Sequence, residues 1–175
     1  VSYDLEALNG ETACHGLSND PHIAMCINLR DLTKNRYTVK EEVSITYALQ
    51  DLFDYNKRHG YLNIAQNGMF DSYWLWYRDY IRFQCTHDTL LAHHLLYPTL
   101  PHSLAYLCAQ YTMHPFYKDE GKNWKEGGNI DQYWTYNCKD AAITYAVAEL
   151  EIEELRSQKL DKFFYDHVMR LQPHC

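Results

Sequence analysis

"TVKEEVSITYALQDLFDYNKRHGYLNIAQNGMFD" (Thr38–Asp71) is the stretch that decides the fold. In its first half Ile45, Ala48, Leu49, Leu52 and Phe53 recur at helical spacing, so one side of a helix faces a core. Thr38 followed three residues later by Glu41 fits a capping box, and Gly60 stands where a helix stops in the left-handed conformation. Then the period changes. Tyr61 to Gln66 reads as a strand, and Phe70, Tyr73, Trp74 and Tyr77 follow at the spacing expected for the buried stripe of a second helix. Helix, strand, turn and helix make an α/β unit. They place Asp71 in the first turn of a helix just beyond the carboxyl end of a strand, where open α/β sheets hold their ligands. By itself Asp71 also reads as an ordinary helix N-terminal acid favoured by the macrodipole.

Toward the amino end, residues 1 to 8, His22 to Leu29 and a short piece near Arg36 to Val39 read as strands separated by polar loops. Toward the carboxyl end, Asp88 to Leu96 and Ser103 to Tyr111 read as short helices with Asp88 and Ser103 as N-caps. "YKDEGKNWKEGGN" (117–129) is a polar loop. Asp131 to about Arg156 reads as one long helix and Lys159 to Arg170 as another. Strands first, then alternation, then helices predict an α/β fold: a mixed sheet, its first strands antiparallel, flanked by helices.

The 175 residues suit a single domain, and 46% hydrophobic content with 16 tyrosines, 6 phenylalanines and 4 tryptophans is enough for a sizeable core. The net charge of -7 argues against holding long duplex DNA by bulk electrostatics. It is compatible with a small acidic pocket for divalent cations, which bring their own positive charge. Six cysteines without a CxxC pair read as free thiols in a reducing cytosol. His87, His93 and His94 lie near Cys85, but no second pair stands at zinc-finger spacing, so zinc is not expected. No stretch is long and apolar enough to span a membrane. With no initial Met and an end part-way through an amphipathic pattern, the chain is expected to be a segment of a longer polypeptide.

Three local patterns carry chemistry. Asp4 and Glu6, one residue apart on a strand, point to the same face and repel unless a cation lies between them; alone, the pair also reads as two solvated carboxylates. "NGMFD" (Asn67–Asp71) places an acid at the strand-to-helix turn. "YNCKD" (Tyr136–Asp140) puts a phenol and a carboxylate one turn apart on a helix face, where Trp134, Ala141, Tyr145 and Ala148 are available to line the other side. A surface Tyr beside a surface Asp is the plainer alternative.

In this order, DxE on the first strand, NxxxD at a strand-to-helix turn and YxxxD on a late helix resemble the three exonuclease motifs of the DEDD superfamily, in its tyrosine branch. "HDTLLAHHLLYPTLPHSLAYLCAQYTMHPFYKD" (His87–Asp119) and "YNCKDAAITYAVAEL" (136–150) resemble the 3′-to-5′ proofreading exonuclease domain of family A DNA polymerases, phage type. The resemblance implies a ribonuclease H-like sheet and a single exonuclease domain over residues 1–175, cut from a longer polymerase. It implies a cytoplasmic setting in a bacterial or phage-infected cell. Two divalent ions, Mg²⁺ or Mn²⁺, would serve two-metal phosphodiester hydrolysis, which explains a site of hard oxygen ligands.

By resemblance Asp4 bridges the two ions, Glu6 and Asp140 complete the water-activating site, and Asp71 holds the second ion directly or through water. Tyr136 orients the attacking water. Asn67, Leu8 and Phe70 are the expected contacts to the terminal nucleotide, and one of Tyr111, Met113, Phe116 and Tyr117 is a candidate to stack on a base. Lys122 and Lys125 are candidates for phosphate contact. The implied partners are a single-stranded DNA 3′ end and the polymerase domain of the parent chain, with no membrane. RNA 3′ processing by the same superfamily and a catalytically silent binding module are the alternatives; the latter typically lose acids that this chain keeps.

Overall fold

The computed structural model describes residues 1–31, 34–119 and 129–172. Their sheet has five strands in the order β3-β2-β1-β4-β5. These are β1 (Ser2–Leu8), β2 (Glu11–Asp20), β3 (Ile23–Asn28), β4 (Ile64–Ala65) and β5 (His87–Asp88). β1 to β3 form an antiparallel meander, and β4 and β5 add to β1 in parallel. The mixed α/β sheet expected from the sequence is thus present.

β2 corrects the sequence reading, which took Glu11–Asp20 for loop. Asn9 and Gly10 both have positive φ, 53° and 79°, and Leu8 pairs with Glu11. Two residues with positive φ make the tight turn whose twist matches antiparallel strands. The expected strand near Arg36–Val39 is absent. There Arg30 and Asn35 form an isolated bridge, and Val39 already opens helix α1 (Val39–His59). The strand read over Tyr61–Gln66 shrinks to Ile64–Ala65.

α1 is capped as its sequence requires. The Thr38 side chain accepts from the Glu41 amide, the Glu41 carboxylate accepts from the Thr38 amide at 2.8 Å, and Gly60 ends the helix at φ 73°. α2 (Gly68–Trp74) runs into a π-helical segment, Leu75–Asp79. α3 (Thr89–Leu96) and α4 (Leu104–Tyr111) carry the expected caps Asp88 and Ser103. α5 is the long helix, Ile130–Ser157. The final helix expected over Lys159–Arg170 is broken into Asp161–Phe163, a π-helical Phe164–Val168 and Met169–Leu171.

The main core lies between the sheet and α1, where Tyr3, Leu5, Leu17, Leu49, Phe53, Leu75 and Ile81 are buried together. Tyr3 and Leu5 point into this core from β1, so Ser2, Asp4 and Glu6 must point to the opposite face. That face receives α5: Ser2 Oγ donates to the Ala141 carbonyl at 2.7 Å. Among the described residues no helix is long and apolar enough to cross a membrane, and Cys14, Cys26, Cys85, Cys108 and Cys138 are free thiols.

Candidate active site

α5 crosses β1 with one side chain per turn aimed at the acids. Tyr133 donates its hydroxyl to Glu6 Oε2 at 3.0 Å, and Asn137 Nδ2 donates to Asp4 Oδ2 at 2.8 Å and to the Asp4 carbonyl at 3.3 Å. Asp140 comes one turn later. The carboxylates of Asp4, Glu6 and Asp140 each offer an oxygen within 4.8 Å of the others, a group able to hold a metal ion. A register shift between Glu6 and Ala7 interrupts the β1–β2 ladder at this point, and such bulges re-aim a neighbouring side chain.

Asp71 stands beside this cluster and outside its 4.8 Å grouping. It is buried, and its carboxyl takes the Leu5 amide of β1. Its location comes from the turn before it. Asp88 accepts from the amides of Asn67 (3.0 Å) and Gly68 (2.8 Å) and also caps α3 through Leu90 N at 3.0 Å. Asn67 takes the left-handed conformation at φ 60°. Gly68 has no room for a side chain, because a Cβ would lie 2.7 Å from Cys85 Sγ.

Negative charge is crowded into the site, where burial and mutual repulsion both act against it. Burial raises the pKa of Asp4 well above the carboxylate range, and Asp140, Glu6 and Asp71 add to the effect. Asp71 is raised mainly by burial as well, then by Asp88 and Glu6. One cation is supplied by the chain itself. Lys118 Nζ sits 2.7 and 2.6 Å from the two Asp140 oxygens and 2.9 Å from the Tyr136 hydroxyl. Tyr117 donates to Asp140 Oδ1 at 2.5 Å. Burial followed by Asp140 and Glu6 pushes the Tyr136 phenol up, so it stays protonated through neutral pH.

Of the residues singled out from sequence, Asp4, Glu6, Asp140 and Tyr136 converge, and Asp71 adjoins them. Leu8 is buried with Ala13 and Tyr133, and Asn67 and Phe70 are exposed at the turn. Tyr117 is buried on Asp140 and is not free to stack, whereas Met113 and Phe116 are exposed. Lys122 and Lys125 lie outside the described residues. The sequence reading missed Lys118, Tyr133 and Asn137. Helical spacing from Tyr136 and Asp140 offered a signal for the last two, since residues three and four apart share a face.

A carboxylate cluster backed by phenols and one amine, set across a mixed α/β sheet, offers the oxygen ligands that hard divalent cations take. The chain matches the family model of 3'-5' exonucleases over residues 11–151 and belongs to that family. The matched span contains Asp71, Tyr136 and Asp140, and the pairing of β1 with β2 joins Asp4 and Glu6 to it. No match is found among curated proteins.

Proposed function

We propose that this chain is a metal-dependent 3′-to-5′ exonuclease that hydrolyses phosphodiester bonds at single-stranded DNA 3′ ends and releases nucleoside monophosphates. In this reading residues 1–175 are the proofreading domain of a family A polymerase of the tyrosine branch, working with the polymerase domain of the parent chain. The observation that carries it is the meeting of Asp4, Glu6 and Asp140 within 4.8 Å, with Asp71 alongside.

The donor set fits hard divalent cations, Mg²⁺ or Mn²⁺: all ligands are carboxylate oxygens, and their mutual repulsion is relieved by added positive charge. Asp4, Glu6 and Asp140 would hold one ion, and Asp4 with Asp71 the second. When bound, such ions supply the charge that lowers the pKa of a water and stabilises a departing 3′ oxygen. The chain's own groups do the rest. Asn137 fixes the Asp4 carboxylate and Tyr133 fixes Glu6, so the acids are oriented before substrate arrives. Tyr136, protonated at neutral pH, orients the attacking water through its hydroxyl rather than taking a proton from it. Asn67 and Phe70, exposed at the turn, border the position for the terminal nucleotide, whereas Leu8 is packed against Ala13 and Tyr133 and is not free to press on a base.

A 5′-labelled single-stranded DNA oligonucleotide and its RNA counterpart, incubated with Mg²⁺ or Mn²⁺, test the proposal. The expected result is a ladder of shortened DNA that disappears with EDTA and with Asp4→Ala. Shortening of RNA alone would transfer the activity to RNA processing. A protein that binds the strand but never shortens it would be a silent module.

A further inference from the structure

Of the four aromatics in the α2 stripe, Trp74 packs against the core as its spacing predicts and the other three do not. Phe70, Tyr73 and Tyr77 are exposed, Tyr73 and Tyr77 by 64% and 63%, while Leu75 and Ile81 fill the core instead. Trp76 and Tyr80 extend the exposed face along the π-helical segment, and Tyr80, 80% exposed, is held in the left-handed conformation at φ 56°. Tyr80 is the left-handed cap that ends the π-helical segment, its amide donating to the Leu75 carbonyl.

From these observations we infer that the outward face of α2 and the π-helical segment is a stacking platform for single-stranded DNA, upstream of the 3′ end. The rings are already arranged for it. Tyr73 and Tyr77 lie 5.8 Å apart with planes 4° from parallel, and Phe70 stacks on Trp74 at 5.8 Å. Base–aromatic stacking tolerates any sequence, as an enzyme that trims arbitrary ends requires. Charge agrees with a polyanion. Over residues 69–84 both carboxylates turn inward, Asp71 buried and Asp79 accepting from Thr12 at 2.8 Å. Arg82 lies exposed, 5.4 Å over the Trp76 ring, while Arg78 is paired with Glu11 at 2.7 Å. With both acids of the stretch turned inward, the Arg82 guanidinium is the charge this face offers to a phosphate.

The face also starts at the right place. Phe70 precedes Asp71, and Trp74 donates to Thr12 at 2.9 Å, next to the end of β1 that carries Glu6 and Leu8. Phe70 to Tyr80 spans about 15 Å at helical rise, room for roughly four stacked bases. The inference rests on the exonuclease reading for where the strand ends, but not for how the platform binds.

Fluorescence anisotropy with 5′-fluorescein-labelled dT12 and dT3 in EDTA tests it without cleavage. The double variant Tyr73→Ala/Tyr77→Ala is expected to bind dT12 roughly tenfold more weakly and dT3 within about twofold of wild type. Tyr73→Phe/Tyr77→Phe keeps the rings and should keep the affinity. Failure of the wild type to bind dT12, or unchanged dT12 affinity in the alanine variant, overturns the platform. So does a variant that changes self-association by light scattering while dT12 binding stays the same, since the face would then dock protein. Binding through this face without metal-dependent shortening would instead defeat the exonuclease proposal and leave the platform standing.

Discussion

Lys118 is the residue through which the chain tolerates its own acid cluster. Its ammonium touches both oxygens of Asp140, a carboxylate only 4% exposed, and the acids that crowd Asp4 lie just beyond. A fully buried pair broken on one side loses about 3–5 kcal/mol. Lys118 is 20% exposed, and solvent screens part of that effect. Lys118→Met should therefore destabilise the metal-free protein by about 1–2 kcal/mol. A divalent cation supplies the missing charge, so Mn²⁺ should raise the melting temperature of the variant more than that of wild type. Thermal unfolding in EDTA and in MnCl₂ measures both shifts, and equal shifts would show that amine and cation do not share the carboxylate. The structure brings Asp4, Glu6, Tyr136 and Asp140 together with Asp71 beside them, and sequence could single these five out because each belongs to a short pattern. It could not single out Lys118, since its partners stand 18 and 22 positions away and no local spacing marks it.

At the scale of elements, the decisive contact is α5 against the meander, and Gly16 permits it. Gly16 pairs with Asp4 across the ladder, and a Cβ there would lie 2.6 Å from Asn137 Oδ1 and 2.9 Å from the Asn137 carbonyl. The amide can rotate away only by leaving Asp4, and the carbonyl cannot rotate away at all. Gly16→Ala should push α5 outward, destabilise the fold by about 1–3 kcal/mol in urea unfolding, and abolish metal-dependent nuclease activity. Gly10→Ala is the contrast. Nothing lies within 4 Å of its Cβ, so left-handed strain alone costs about 1 kcal/mol and activity should survive. The same packing explains why β2 was read as loop. "ETACHGLSND" is built of small and polar residues, yet Thr12 to Ser18 are buried, because the strand lies under a helix that needs small neighbours. Asn9-Gly10 was the available signal, a turn that demands a strand on each side. The aromatic stripe of α2 held at Trp74 and failed at Phe70, Tyr73 and Tyr77 for the opposite reason: spacing shows that residues share a face, not which way that face looks.

Over the whole molecule, the C-terminal segment is tied to the site through buried polar groups. Gln172 Nε2 donates to Asp88 Oδ2 at 2.6 Å, the same carboxylate that holds the Asn67–Gly68 turn. Beside it His87 Nδ1 meets the Tyr165 hydroxyl at 2.9 Å, while His87 Nε2 faces Glu151 Oε2 at 3.5 Å with both side chains fully buried. Neither Glu151 oxygen has a hydrogen-bond partner among the described residues. Burial, then Asp88 and Glu154, raise the Glu151 pKa well above its usual value, and burial lowers His87 to about 3. Folded, the pair thus holds one proton, a carboxylic acid facing a neutral imidazole. Unfolded, Glu loses its proton above about pH 4.3 and His gains one below about 6.5. Between those values both states hold one proton and the pair adds no pH slope. Above about 6.5 the native state holds one proton more, so stability falls as pH rises until Glu151 itself ionises. Glu151→Gln removes that liability and lets the amide donate to His87 Nε2. The variant's advantage over wild type should grow with pH by up to about 1.4 kcal/mol per unit. Urea unfolding of both proteins at pH 5.5 and 8 measures the difference, in which the titration of the acid cluster cancels. An advantage that does not grow with pH would mean that Glu151 is already ionised beside a neutral His87.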